Sequence, residues 1–251
     1  MLRLSFIFLS AALLLLFDNT SAGAGQNTVT YTAKLGDTVQ CLSEVNAARE
    51  AAGLANFIQA TVDEKKISDP GENELTENKW RDLCEHLIPM PSETFSVQAV
   101  ADPFKDGTYA FKSLTAEQPN CAETVDYWKA AYKNFTGLPP PKGEAGTLYD
   151  NQDNVSFVAL YNPSSNATAD CRVVTCTQTT SSADPSSRVS SDGNDGNTKL
   201  GYAMLCKTTP TAFENDSTAP FTQEQWDKIK SSLTGHASIA APSLAALAIL
   251  R

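Results

Sequence analysis

Histidine is nearly absent from this sequence: the 251 residues include only two, His86 and His236. Such scarcity argues against sites built from paired histidines and leaves His86 as the one candidate base for Ser-His-Asp or Cys-His hydrolysis. His86 closely follows Cys84 on a predicted helix, a placement that is more typical of a helix-surface histidine near a disulfide than of a catalytic base. We therefore expect no catalysis and no cofactor, and keep a hydrolase using His86 as an alternative.

Basic stretches are also missing. The chain has 19 Lys and Arg against 29 Asp and Glu, a net charge of -10. An acidic chain repels phosphate backbones, and no basic stripe with interleaved aromatic residues is present, so nucleic-acid binding is not expected. Cys-x-x-Cys pairs are absent as well, so we expect no zinc site and no other metal. Glu44 and Glu50 could in principle meet Asp126 or Glu123 as carboxylate pairs, but nothing in the spacing supports such pairs, and solvated helix faces explain these residues.

The amino-terminal 1–24 segment has the features of a secretory signal. Arg3 precedes an apolar run over 4–17, and small residues at 22–24 offer a cleavage site. The run is shorter than the ~20 residues of a typical membrane-spanning helix. We expect cleavage after Ala24, with an uncleaved membrane anchor as the alternative.

The carboxyl-terminal 233–251 segment is predicted to be a glycosylphosphatidylinositol (GPI) attachment signal that is removed. Its apolar stretch over 237–250 follows small residues that are candidate attachment sites, Ser231, Ser232 and Gly235. This order is typical of a GPI signal. The alternative is a short carboxyl-terminal core helix. The mature domain would span 25–232, and its membrane partner would be the lipid bilayer, through the anchor.

The six cysteines all lie in the predicted mature domain. An even number in an exported chain indicates three disulfides, with the pairing left open by sequence. The cysteines are Cys41, Cys84, Cys121, Cys171, Cys176 and Cys206. Four Asn-x-Ser/Thr sequons are candidate N-glycosylation sites: Asn134, Asn154, Asn166 and Asn215.

Hydrophobic periodicity predicts helices followed by strands and a last helix. The predicted helices are 41–59, 76–87, 120–135 and 222–233. The predicted strands are 28–32, 95–100, 109–114, 155–161, 171–177 and 200–207. Thr222 and Gln225 form a capping-box pattern, and 179–198 is a polar loop. This order indicates an α+β fold with an antiparallel sheet covered by helices.

Several segments in this order resemble the surface antigen family of Eimeria-type coccidian parasites. They are 41–49 (CLSEVNAAR), Gly53-Leu54, 157–163 (FVALYNP), 171–176 (CRVVTC), 202–207 (YAMLCK) and 221–226 (FTQEQW). The resemblance implies a CAP-like three-layer α-β-α sandwich whose first helix is 41–57 and whose sheet comes from 155–207. It also implies a GPI-anchored antigen on the outer face of the plasma membrane, which attaches to a host-cell receptor or glycan and meets host immunity without catalysis.

Two further features bear on partners. Trp80, Trp128 and Trp226 lie on apolar helix faces, where they could line a groove for a CAP-type lipid or sterol ligand, although packing in the core explains them better. Long polar loops on a rigid scaffold commonly carry recognition, which makes 179–198 the candidate contact loop.

Overall fold

The computed structural model describes residues 28–76, 79–89, 106–181 and 198–235. Five strands lie in this part of the chain: β1 (Thr28–Leu35), β2 (Ile58–Gln59), β3 (Thr108–Leu114), β4 (Thr168–Ser181) and β5 (Thr198–Thr209). They confirm the strands predicted at 28–32, 109–114, 171–177 and 200–207. The strand predicted at 95–100 lies outside the described residues.

The strands form one sheet in the order β1-β4-β5-β3, and each neighbouring pair in this order is antiparallel. The short β2 pairs in parallel with the start of β4. The long central ladder of β4 and β5 places Cys171 opposite Cys206. The fold is therefore α+β with an essentially antiparallel sheet, as predicted.

Five α-helices lie in the described residues: α1 (Leu42–Ala51), α2 (Lys79–Leu87), α3 (Cys121–Ala130), α4 (Gln152–Leu160) and α5 (Gln223–Gly235). The predicted helix 76–87 is confirmed by α2. The predicted helix 120–135 is confirmed by α3 and the 3₁₀ turn Ala131–Asn134 that continues it. The capping box of α5 is also confirmed, because Thr222 Oγ1 accepts from Gln225 N and Gln225 Oε1 accepts from Thr222 N.

Helix α1 ends earlier than the predicted 41–59. Gly53 adopts the left-handed region with φ 69°. Its N–H donates to Glu50 O, and the N–H of Leu54 donates to Arg49 O. This pair of bonds is the Schellman motif, which glycine favours because it has no Cβ. The chain then leaves the helix and forms strand β2 at Ile58–Gln59.

The strand predicted at 155–161, which the resemblance also implied, is wrong: this segment belongs to helix α4. Asn151 caps the helix by accepting from Asp153 N. Phe157, Val158 and Ala159 are fully buried, so apolar residues cover the helix almost all around. A helix buried on all sides shows a continuous apolar run, which periodicity cannot distinguish from a buried strand.

Helix α4 also covers the free edge of strand β3. The N–H of Phe111 donates to Ser156 Oγ at 2.9 Å, and Gln152 Nε2 donates to Tyr109 O at 3.0 Å. From α3, Trp128 Nε1 donates to Phe111 O at 2.9 Å. These side chains satisfy backbone groups that an edge strand would otherwise expose to pairing with another chain.

Two hydrophobic cores lie on opposite faces of the sheet. Alternate residues of a strand point to opposite faces. Cys171 and Val173 enter the larger core, which buries residues of α1, α3, α4 and α5. Val174 and Cys176 enter the smaller core, which buries residues of α2. The sheet therefore has helices on both faces.

Asp170 and Lys207 are buried charged side chains of the central ladder formed by β4 and β5. They hold the segment before α2 against the sheet face that carries the smaller core. Asp170 lies opposite Lys207 in the register of β4 and β5. Asp170 Oδ2 accepts from Ile67 N at 2.8 Å, and Lys207 Nζ donates to Glu64 O at 2.9 Å and Lys66 O at 3.0 Å. Buried charges need such partners to offset their lost hydration.

All six cysteines are paired, as expected from their even number. The disulfides are Cys41–Cys121, Cys84–Cys176 and Cys171–Cys206. The first joins the start of α1 to the start of α3, the second joins α2 to β4, and the third crosses the central ladder. Each core therefore carries at least one covalent link between elements distant in sequence.

The predicted polar loop 179–198 is shorter than expected, since β4 continues to Ser181 and β5 begins at Thr198. The intervening 182–197 lie outside the described residues, as do the predicted signal at 1–24 and the apolar stretch over 237–250. In the described ranges, no helix is both long enough and apolar enough to cross a bilayer.

Candidate functional site

A groove of about 670 Å³ lies between helices α1 and α3, with the last turns of α5 as its third wall. Small side chains make the groove possible. Its walls include Ala47 and Ala51 on α1, Ala122 and Ala130 on α3, and Leu233 on α5. The disulfide between Cys41 and Cys121 fixes the two helix starts to each other. The groove is thus a feature of a cross-linked helix pair.

The floor of the groove contains the buried phenol of Tyr161. Ala48, Val125 and Tyr161 line the groove and are all buried. Tyr161 Oη is closed off from water, and the Ser232 hydroxyl lies beside it. The Ser232 hydroxyl donates its own hydrogen to Ile229 O at 2.7 Å, so its oxygen can accept from the phenol.

The phenol of Tyr161 is a hydrogen-bond donor at neutral pH. Burial raises its pKa above the ordinary value, and the carboxylate of Asp126 adds to the rise. The hydrogen-bonding Ser232 hydroxyl and the positive charge of Arg49 lower the pKa of Tyr161, but by less than burial raises it. A neutral phenol can donate one hydrogen bond to a ligand oxygen.

Arg49 is the charged group near this floor. It is 1% exposed, and burial lowers its pKa to about 10. Its Nε donates to Ala55 O at 2.8 Å, and NH1 donates to Leu160 O at 3.0 Å. The guanidinium also lies 3.6 Å from the ring centroid of Phe57. These contacts hold the end of α1 against the end of α4, so the charge of Arg49 has a structural role.

The rim of the groove is charged but balanced. Glu44, Asp126, Lys129 and Lys133 line it, two acids and two bases. Lys129 Nζ pairs with Asp126 Oδ1 at 3.1 Å. Glu44 and Asp126, considered as a carboxylate pair in the sequence, do share this rim. These four side chains together carry no net charge.

Among the described residues, His86 has none of the partners that hydrolysis requires. It is half-buried on α2, and burial lowers its pKa. Its ring packs edge-on against Phe111, with ring centroids 5.8 Å apart. The described residues provide no hydrogen-bond or ionic partner for it. The adjacent Cys84 is in a disulfide, so it is not a thiolate nucleophile. His236 lies outside the described residues.

The three tryptophans lie in the cores. Trp80 is in the smaller core, and Trp128 and Trp226 are in the larger one. None of the three is more than 7% exposed. Their faces are therefore occupied by packing and do not line the groove between α1 and α3.

The four sequons differ in accessibility. Asn134, Asn166 and Asn215 are exposed. Asn154 is buried on α4, where its Nδ2 donates to Leu148 O at 2.7 Å and its Oδ1 accepts from Asn134 Nδ2 at 2.7 Å. The motif cannot distinguish these cases, because it contains no information on burial.

The three candidate anchor residues all belong to helix α5. Ser231 and Gly235 are exposed and Ser232 is half-buried. Helix α5 continues past the predicted domain boundary at 232, and Leu233 packs against the larger core. Within the described residues, no group of three His, Cys, Asp or Glu could hold a metal ion.

Tyr161 and Arg49 are the site residues that sequence analysis did not identify. Arg49 lies among the buried Val45 and Ala48 of α1 and the buried Ala52 that follows the helix. A charged residue on the apolar face of the helix was therefore the available signal. Tyr161 ends an apolar run that was interpreted as a strand, and no local pattern marks its hydroxyl as buried.

Fold and site together define a disulfide-linked α+β domain with helices on both sheet faces and a groove between two of its helices. The family model of the sporozoite surface antigen (SAG) protein domain matches residues 37–248. The chain therefore belongs to this family. It is 29% identical over 246 residues to the sporulated oocyst TA4 antigen of Eimeria tenella, covering 93% of this chain and 87% of that protein.

No solved structure matches the chain. The family resemblance stated from the sequence segments is confirmed by the domain match and by the Eimeria relative. The protein is a coccidian surface antigen of the SAG family, which indicates a location at the cell surface.

Proposed function

We propose that this protein is a GPI-anchored surface antigen that attaches to host cells and meets the host immune system without catalysing a reaction. The observation that carries the proposal is the surface antigen domain match over residues 37–248. The relative from Eimeria tenella is likewise described as an antigen. The three disulfides suit a domain exposed outside the cell.

The chemistry of the described side chains supports a role without catalysis. Every cysteine is in a disulfide, which leaves no thiolate. His86 faces the ring of Phe111 rather than a serine or a carboxylate. A nucleophile needs a base within hydrogen-bonding reach to be activated, and His86 has no serine or threonine hydroxyl as a hydrogen-bond partner in the part of the chain that the structure describes.

The packing of helix α5 supports Gly235 as the residue that carries a GPI anchor. The described residues of this helix extend to Gly235, and the sequence then continues into the apolar stretch over 237–250. Removing residues after Ser231 or Ser232 would delete Leu233 from the larger core. Gly235 is exposed, and nothing lies within 4 Å of the position its Cβ would occupy. We therefore propose Gly235 as the attachment residue.

Helices on both sheet faces also support a CAP-like three-layer α-β-α sandwich. In this proposal α1 is the first CAP helix, and β4 and β5 supply the central strands. An experimental structure that superposes on CAP domains with the same order of helices and strands would test it. A different connection between the layers would overturn it.

Two measurements test the function. A phospholipase specific for GPI should release the protein from the surface of parasite cells. Retention on the membrane after that treatment would count against the anchor. The protein as delivered to the cell surface should also bind host epithelial cells in a saturable manner, and absence of saturable binding would remove the attachment role.

A further inference from the structure

The central ladder of the sheet continues past the residues that enter the larger core. In β4, Val173 enters that core, and the next side chains on the same face are the threonines at 175, 177 and 179. Thr175 and Thr177 are half-buried and Thr179 is exposed, whereas Cys176 on the opposite face is fully buried. One face of the sheet is therefore open to solvent at this end of the ladder.

The neighbouring strands continue this open face with the same chemistry. The register places Thr32 of β1 opposite Thr177, and it places Thr30 of β1 and Thr198 of β5 on either side of Thr179. Residues that lie opposite each other in an antiparallel ladder point to the same face of the sheet. The hydroxyl side chains thus form rows about 6.7 Å apart along the strands, with about 4.8 Å between strands. We call this surface of β1, β4 and β5 the threonine face.

Two larger side chains of β5 complete the threonine face. Leu200 lies opposite Thr177, and Tyr202 lies opposite Thr175. Leu200 is 54% exposed, so most of its apolar surface remains available for burial by a partner. Burying apolar surface of this kind is favourable in proportion to the area removed from water.

The threonine face is free of carboxylates and of sequons. Its one charged side chain is Lys34, which lies opposite Thr175, although the chain has a net charge of -10. Two copies of an acidic chain repel each other where their acidic surfaces meet, so a face without carboxylates favours their close approach. The four sequons lie outside β1, β4 and β5, so N-glycans on them would not grow from this face.

The threonine face is complementary to itself. A hydroxyl both donates and accepts a hydrogen bond, so rows of threonine can pair with the same rows of a second copy. A twofold axis that crosses the strands at the row of Thr32, Thr177 and Leu200 brings Leu200 of the two copies together. The same axis places the two Lys34 side chains at opposite ends of the contact, which avoids repulsion between them.

The size of the face sets the strength of such a contact. Three strands and four rows at these spacings cover a flat area of roughly 400 Å² per copy. Stable complexes bury about 800 Å² of accessible surface per partner, and smaller interfaces belong to weak, transient contacts. A contact of this size is therefore weak in solution, and it gains from a high local concentration such as that of copies on one membrane surface.

We infer that the threonine face is a contact surface between two copies of this chain, which join face to face in a weak and reversible dimer. The inference goes beyond the proposed attachment to host cells and does not depend on it. It assigns one role to the rows of threonine and to the exposed Leu200, which neither core buries.

The test uses the full chain produced in eukaryotic cells and recovered from the medium, or from the cell surface after phospholipase treatment. Sedimentation equilibrium at increasing protein concentration should show a reversible equilibrium between monomer and dimer. Leu200→Glu adds a carboxylate to the middle row of the face and should weaken dimerisation at least tenfold. Its thermal unfolding should match that of the wild-type monomer, because Leu200 is exposed there.

Ile58→Glu is the matched control. Ile58 is 60% exposed and lies on β2, which pairs with the other end of β4. The substitution adds the same charge outside the threonine face and should leave dimerisation unchanged. A second variant of the face, Thr177→Lys, places two positive charges next to each other at the twofold axis and should also weaken dimerisation at least tenfold.

Each outcome decides the inference. Weaker dimerisation of Leu200→Glu and Thr177→Lys, with Ile58→Glu unchanged, supports it. A wild type that stays monomeric up to ~1 mM, a dimer that either face variant leaves intact, or an equal effect of Ile58→Glu overturns it. If the wild type is monomeric and Leu200→Glu abolishes binding to host cells, the face contacts a host molecule instead. Attachment is judged separately, by whether the wild type binds host cells in any oligomeric state.

Discussion

Ser156 on helix α4 accepts a 2.9 Å hydrogen bond from the backbone N–H of Phe111, a residue of the edge strand β3. The same hydroxyl donates to Gln152 O at 2.8 Å within α4. One side chain thus joins the buried helix to the sheet edge. A sheet edge covered in this way is unavailable for pairing with other chains.

Replacing Ser156 by valine should destabilise the protein by about 1–3 kcal/mol, because the buried N–H of Phe111 loses its acceptor. Chemical denaturation of wild type and variant measures the difference. Ser165→Val, at an exposed serine, is the matched control and should change the free energy of unfolding by less than ~0.5 kcal/mol. Equal effects of both substitutions would contradict the role of Ser156.

Arg49→Met should be strongly destabilising, by about 3 kcal/mol, although methionine retains much of the apolar volume. The reason is that the carbonyl oxygens of Ala55 and Leu160 lose a charged donor in the interior. Arg49→Lys retains one cation and should lose less. Denaturation measures both variants, and a methionine variant as stable as the wild type would show that packing alone matters there.

His86 should contribute to acid sensitivity. Burial lowers its pKa from the ordinary 6.5, so below that value the unfolded chain binds a proton more readily than the folded one. Stability from this group therefore falls as pH decreases through the window below 6.5 and is complete above it. Unfolding measured between pH 7 and pH 4 should show a shallower decline for His86→Gln than for the wild type. Parallel curves would exclude a contribution from His86.

Glycans, where the exported protein carries them, should be on the exposed Asn166 and Asn215 and not on Asn154. Asn154 is 2% exposed, and a glycan on its Nδ2 would have to occupy the interior. Peptide mass spectrometry after glycan release tests this placement. Asn166→Gln and Asn215→Gln should each increase electrophoretic mobility, and Asn154→Gln should leave it unchanged. A glycan on Asn154 in folded protein would contradict the structure.

Gly235→Gln should reduce display of the protein on the cell surface, because attachment requires a small residue at the site. Ser231→Gln changes an exposed residue one helical turn earlier and should retain display. Mass spectrometry of the carboxyl-terminal peptide from phospholipase-released protein identifies the attachment residue directly. A peptide ending at Ser231 or Ser232 would overturn the assignment to Gly235.

Part of this architecture was predictable because it depends on local patterns. The face of α2 with Trp80 and Leu83 repeats at helical spacing, and Thr222 with Gln225 carries its own capping signal. The segment at 200–207 lies in strand β5, as its sequence predicted. Such features need only the chain immediately around them.

Other features depended on distant neighbours. Considered alone, the sequence around Phe157 and Val158 predicts a strand. The segment is a helix that is buried between the sheet and other helices. The sequence by itself determined an acidic, histidine-poor, cysteine-paired chain of mixed helices and strands. The tertiary structure decided which cysteines meet, that Asn154 is inside, and that Tyr161 lies buried under a groove. The physical reason is that pairing and burial join residues far apart in the chain, which no local pattern encodes.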